Sequence, residues 1–144
     1  LQPAWGSGAI PASGAPDVVG AFRFLCTPSH NAYNDPIVYP GQTGKSHLHT
    51  FFGNTKADAN STYESLRTSG ESTCNNLLNR SAYWIPALLN GQGKVVMPDY
   101  VSIYYKRRPS TDPVCQRQGK ACIALPRGLR YVFGYNMSTG KGGG

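Results

Sequence analysis

The run Asp35-Pro36-Ile37-Val38-Tyr39-Pro40-Gly41-Gln42-Thr43-Gly44-Lys45-Ser46-His47-Leu48-His49-Thr50-Phe51-Phe52-Gly53-Asn54 decides how the rest of the chain is read. Its first half is turn chemistry, with Pro36, Pro40, Gly41 and Gly44 set among polar side chains. After Lys45 the pattern becomes that of a strand. Alternate residues of an extended segment share a face, so His47, His49 and Phe51 are expected to point one way and Leu48, Thr50 and Phe52 the other. Same-face neighbours on a strand lie about 6.5–7 Å apart, from a rise of about 3.3 Å per residue, so two such imidazoles can reach one ligand. The candidate site is this histidine pair behind its loop. Asp35 is expected within hydrogen-bond reach of one imidazole or of Arg23.

Working outward, the flanks read as further short strands. Residues 18–26 alternate, with Val19, Ala21, Arg23 and Leu25 on one face and Phe22 and Phe24 on the other. If Arg23 is buried it needs a carboxylate partner, and Asp35 is the nearest in sequence. Residues 27–34 read as a polar loop carrying His30 and Tyr33. Downstream, residues 57–66 have the makings of a helical turn or two, capped by Asp58 or Asn60. In residues 79–89 Pro86 demotes an apolar run to an edge strand or a bulge. Asn90-Gly91 then predicts a hairpin returning through residues 94–97. Residues 100–106 form a β-branched and aromatic strand, with Val101, Ile103 and Tyr105 opposite Tyr100, Ser102 and Tyr104. A basic loop covers 107–122, and residues 129–135 supply the last strand. There is no internal repeat and no long amphipathic helix. The expected fold is mainly β, a single-domain β-sandwich or distorted barrel with long loops and little helix. Residues 1–17 are an extended N-terminal arm, 18–139 the domain and 140–144 a Gly-rich tail.

Composition bounds the function. A chain of 144 residues with 17 glycines, 11 prolines and 15% charged residues suits one domain of short strands and long loops. No apolar run approaches the roughly 20 residues of a bilayer-crossing helix. No signal peptide is read at the N-terminus, and a first residue of Leu1 leads to the expectation that a leader has been removed. The four cysteines, Cys26, Cys74, Cys115 and Cys122, contain no C-x-x-C pair, which argues against a zinc knuckle or a redox motif. They permit three pairings; Cys26–Cys74 with Cys115–Cys122 is preferred, because the second closes a short loop containing Gly119. Three glycosylation sequons begin at Asn60, Asn79 and Asn136. Together these features predict a secreted, extracellular protein with two disulfides. A formal charge of +7 asks for an acidic partner: nucleic acid, an acidic polysaccharide or other anionic glycan, or an anionic cell surface. Nucleic acid is not expected, since no zinc finger, RNA-binding aromatic pair or basic helix is present. Oligomeric state is not legible.

The site admits several chemistries. His47 and His49 serve as general acid/base or ligand-gripping groups, since an imidazole titrates near neutral pH, or as structural residues bonded to backbone. No cofactor is expected; a divalent metal at His47/His49 would need His30 or Asp35 to complete it, and two histidines alone are a weak metal signal. Asp35 is either a site carboxylate or a turn former before Pro36. Lys45, Tyr33, Arg23 and Tyr104 are the candidate substrate contacts, the cations for an acidic sugar and the aromatics for stacking. Seven acidic residues leave few candidates for a glycosidase pair, Asp35, Glu64 and Asp99 among them. A lyase on an acidic sugar, with His or Tyr taking the proton and Lys or Arg neutralising the carboxylate, is the other cleavage chemistry.

Several spaced motifs add to this reading. Phe22-Arg23-Phe24-x-Cys26, Asp35-Pro36-Ile37-Val38-x-Pro40-Gly41, Ser46-His47-x-His49-x-Phe51-x-Gly53 and Tyr83-Trp84-x-Pro86-x-Leu88 occur here in the order seen in the DUF1996 family, which the chain resembles over about residues 20–135. These are secreted fungal and bacterial domains, in fungi often joined to WSC carbohydrate-binding modules. The resemblance implies an extracellular setting and, by that association, polysaccharide; it implies no reaction. Domains of the family are longer, with a further His-containing segment in the C-terminal part. The chain is therefore either a fragment of such a domain or lacks whatever that segment completes. The expectation is an exported domain acting on polysaccharide as hydrolase or lyase, with His47, His49 and Asp35 at its centre. The alternative is a non-enzymatic module that binds polysaccharide or forms surface structure.

Overall fold

Strand order explains where the histidines go. In a computed structural model, described for residues 21–106, 108–109, 111–117, 122, 125–134 and 138–140, the elements are β1 (Ala21–Cys26), β2 (Pro28–Ala32), β3 (His49–Gly53), α1 (Tyr63–Thr68), β4 (Ala82–Pro86), β5 (Val101–Lys106) and α2 (Pro113–Gln116). The protein is mainly β. The expected arm at 1–17, the start of the first strand at 18–20, Asn136, residues 141–144 of the tail and Gly119 lie outside the described residues.

Two antiparallel sheets form. One pairs β1 with β5, and the other runs β2-β3-β4 with β3 in the middle. Only Thr27 separates β1 from β2, so the chain steps from one sheet to the other across a single residue. In the first sheet Phe24 pairs with Ile103 and Cys26 with Val101. In the second Phe52 pairs with Tyr83. These side chains meet in one core around Cys26, Phe52 and Cys74, with Phe24, Tyr83, Val101 and Ile103 packed against it. The Tyr83 and Tyr105 hydroxyls close the same gap with a 3.0 Å hydrogen bond between the sheets.

The segment after α1 knits the sheets together. Thr27 and Thr73 exchange bonds, the Thr73 amide donates to Gly53, and the Gly53 amide donates to the Thr73 hydroxyl. The Cys26–Cys74 disulfide lies within this seam, and Cys115–Cys122 closes the basic loop, the pairing the sequence favours. Asn54 anchors the seam from inside. It is fully buried; its amide nitrogen donates to the carbonyls of Leu66, Ser69 and Arg80, and its carbonyl accepts from the Lys56 amide.

Five readings need correction. Residues 28–32, expected in a polar loop, form β2: Pro-Ser-His-Asn-Ala has little strand propensity, but the β3 ladder holds it, with a register shift between Pro28 and His30. The helix begins later than expected, because Thr62 and Ser65 form a reciprocal capping box, while Asp58 instead closes a turn by accepting from the Asn60 amide. Residues 129–134 are irregular. Leu129, Tyr131, Val132 and Phe133 are all exposed and find no ladder partner among the described residues, so apolar alternation there does not become a strand. Arg23 is not a buried ion in search of Asp35. It lies on the outer face of the first sheet opposite Tyr104, its guanidinium 5.4 Å from the ring centre and 3.4 Å from the hydroxyl.

The central strand starts at His49, so His47, expected on it, precedes it; two further readings hold. β4 ends at Pro86 and is an edge strand, where the missing amide costs no ladder bond. The Asn90 turn exists as a bridge between Leu89 and Val95, with Gly93 rather than Gly91 taking the positive φ of 74°. Among the described residues no helix is long and apolar enough to cross a membrane.

Candidate functional site

β3 separates two chemistries across its two faces. Phe52 enters the core, while His49 and Phe51 look the other way, beside Ala32 and His30 of β2 and Pro86 and Trp84 of β4. On this second face Phe51, fully buried, is sandwiched between His30 at 4.9 Å and Trp84 at 5.7 Å, with His49 edge-on at 6.4 Å.

The two imidazoles on this face, His30 half-buried and His49 buried, are held differently. His30 is fully engaged: its Nε2 donates to the Ala57 carbonyl at 2.9 Å, and its Nδ1 accepts from the Ser29 hydroxyl at 2.8 Å. His49 uses one nitrogen only. Its Nδ1 lies 2.9 Å from the Asn34 carbonyl, and because a carbonyl can only accept, the proton of the neutral ring sits on Nδ1. Among the described residues Nε2 has no hydrogen-bond partner, and it is not among the atoms sealed from solvent. The lone pair on Nε2 is therefore the available one, on a ring whose orientation is fixed from behind.

Asp35 stands next to this arrangement without touching an imidazole. One carboxylate oxygen accepts from the amides of Ile37 and Val38 at 2.9 and 2.8 Å, and the other accepts from Trp84 Nε1 at 3.2 Å. The carboxylate thus folds the loop and fixes the indole. It reaches His49 through the aromatic cluster and through the Asn34–Asp35 backbone. His47 precedes β3 and is exposed, as are Lys45 and Tyr33. Arg23 and Tyr104 belong together but on the other sheet, with Lys106 5.8 Å from the same ring. The structure therefore brings Asp35 and His49 into one cluster, leaves His47, Lys45 and Tyr33 on exposed positions near it in the chain, and assigns Arg23 and Tyr104 elsewhere. No group of three metal-binding side chains converges among the described residues. His30 and Asp35, the residues expected to complete a metal site, are occupied by protein partners.

Beside His49 lies a recess of about 580 Å3 that neither His47 nor His49 lines. Its walls are His30, Ala32 and Asn34 on the β2 side and Lys56, Ala57, Asp58, Asn60, Ser61, Ser65 and Ser69 on the other. Sequence reasoning did not find it. Asn34 and Trp84 were also not singled out as supports of the histidine, because their roles depend on a backbone carbonyl and a cross-strand contact that no spacing encodes.

Neither a curated protein nor a solved structure matches the chain. A family model described as a domain of unknown function, DUF1996, matches residues 35–143, which takes in the loop, β3, β4 and the 56–69 side of the recess, while His30, Ala32 and Asn34 precede it. The motifs at Asp35–Gly41, Ser46–Gly53 and Tyr83–Leu88 fall within that match, and the chain belongs to the DUF1996 family.

Proposed function

We propose that this domain is exported and cleaves a polysaccharide, with His49 as the group that moves the proton. The observation that carries the reading is the single-sided hold on His49: the Asn34 carbonyl fixes the ring through Nδ1, and Nε2 is left as an oriented base. Two disulfides and a formal charge of +7 support an oxidising compartment and an acidic chain as substrate. Elimination suits the geometry better than hydrolysis. A glycosidase needs two free carboxyl groups across the scissile bond, and Asp35 has both oxygens engaged. An exposed lysine and histidine, Lys45 and His47, are available to meet the sugar carboxylate.

The same engagement of Asp35 supports the second reading, a module that binds polysaccharide and cleaves nothing. Incubation with a panel of neutral and acidic polysaccharides separates the two. Release of unsaturated or reducing ends, lost at least a hundredfold in His49→Asn, is the expected result. That substitution retains a donor for the Asn34 carbonyl and deletes Nε2. Retention of glycan without product from the unmodified protein identifies the binding module.

A further inference from the structure

We infer that the recess between β2 and the 56–61 loop is a subsite for one pyranose unit of the same polysaccharide, an inference that deepens the proposal for His49. The recess adjoins the imidazole through shared residues. Ala32 is opposite His49 in the β2–β3 register, and Asn34 supplies the carbonyl that holds His49 Nδ1; both line the recess. A volume of about 580 Å3 falls within the usual range of small-ligand sites, about 300–1,000 Å3.

The lining chemistry selects the ligand. The lining is mixed: Ala32, Ala57 and the His30 ring, stacked flat on Phe51 with both nitrogens satisfied, present apolar surface, and Asn34, Lys56 and Asn60 set polar groups around it. A pyranose matches both parts, with a C–H face for the alanines and the imidazole and hydroxyls for the polar groups at the rim.

Not every lining group is available, and the free ones define the contacts. Asp58 Oδ1 is taken by the Asn60 amide and lies near the Ser61 hydroxyl, and the Ser65 and Ser69 hydroxyls bond to helix backbone. The Asn60 carboxamide and the Lys56 ammonium make no hydrogen bond or ion pair among the described residues, and both side chains are exposed at the rim. These two therefore read the ligand: a carboxamide for adjacent hydroxyls and an ammonium for a ring or carboxylate oxygen. Neither supports the fold, so both can be changed without disturbing it.

The test is the double variant Lys56→Ala/Asn60→Ala, measured by binding and by cleavage on whichever panel polysaccharide the unmodified protein retains, with thermal unfolding as the control. The expected result is roughly tenfold weaker retention, or a tenfold higher KM with little change in kcat, at an unchanged Tm. Unchanged retention and KM overturn the subsite and leave the role of His49 standing. Weakened retention by a protein that releases no product upholds the subsite and removes the proposed cleavage. Absence of retention on every polysaccharide of the panel overturns both.

Discussion

At the residue scale, two side chains carry more of the fold than their chemical type suggests. Asn54 is an uncharged amide in a fully buried position, and it satisfies three carbonyls and one amide from three separate segments. Replacing it by Asp sets an anion against those three carbonyls. Asn54→Asp is expected to cost at least ~3 kcal/mol, and denaturant unfolding measures it. Gly53, with φ of +81°, is the second case: a Cβ there would overlap the Ser81 carbonyl that accepts from the Asn54 amide. Gly53→Ala is expected to lose about 1–3 kcal/mol, by the strain of the left-handed backbone and the displaced carbonyl together. A smaller loss than Ser81→Ala shows elsewhere on the same turn would contradict that account. Neither role was legible from sequence. Ser-His-x-His-x-Phe-x-Gly announces paired histidines, but the partner of His49 is a backbone carbonyl, and a backbone carbonyl has no sequence signature.

At the element scale, legibility followed the strength of the local pattern. β5 was readable because Val101, Ile103 and Tyr105 alternate cleanly with Ser102, Tyr104 and Lys106, and the same alternation appears in their burial. β4 was readable as an edge because Pro86 leaves few alternatives. β2 was not, since its strand character comes from β3 rather than from its own residues. Residues 129–134 show the converse, a strand-like composition without a ladder partner among the described residues. For α1, six residues long, the cap matters more than propensity. Thr62→Ala removes the acceptor for the Ser65 amide and is expected to destabilise the protein by about 1 kcal/mol; Thr62→Ser should retain most of that. Equal loss in both variants would place the effect in the Thr62 methyl group rather than the cap.

At the scale of the whole molecule, the seam between the sheets sets stability. The Cys26–Cys74 bridge spans a separation of 48 residues in the core, against 7 for Cys115–Cys122 in the basic loop. Loop-closure entropy makes the first worth about 4 kcal/mol and the second about 2.5. Replacing Cys26 and Cys74 together by Ala should therefore lower Tm more than replacing Cys115 and Cys122. The opposite order would mean that the basic loop, not the seam, limits unfolding. The phenol pair across the same seam adds a pH limit. Burial, reinforced by the hydrogen bond with Tyr83, pushes the Tyr105 hydroxyl well above the ordinary tyrosine value of 10.0. The folded state then keeps a proton that the unfolded chain gives up. The contribution is complete below pH 10 and declines as pH rises above it, so unfolding at alkaline pH should be steeper than in Tyr105→Phe.

The claim on which the functional reading depends is the state of one ring, and long-range proton–nitrogen NMR of the histidine side chains reads that state directly. The account predicts His49 as the Nδ1–H tautomer with an unprotonated Nε2 that shifts when a retained polysaccharide is added, while His30 remains the Nε2–H tautomer and does not respond. His49 found with its proton on Nε2, or unmoved by a polysaccharide that the protein demonstrably retains, would contradict it.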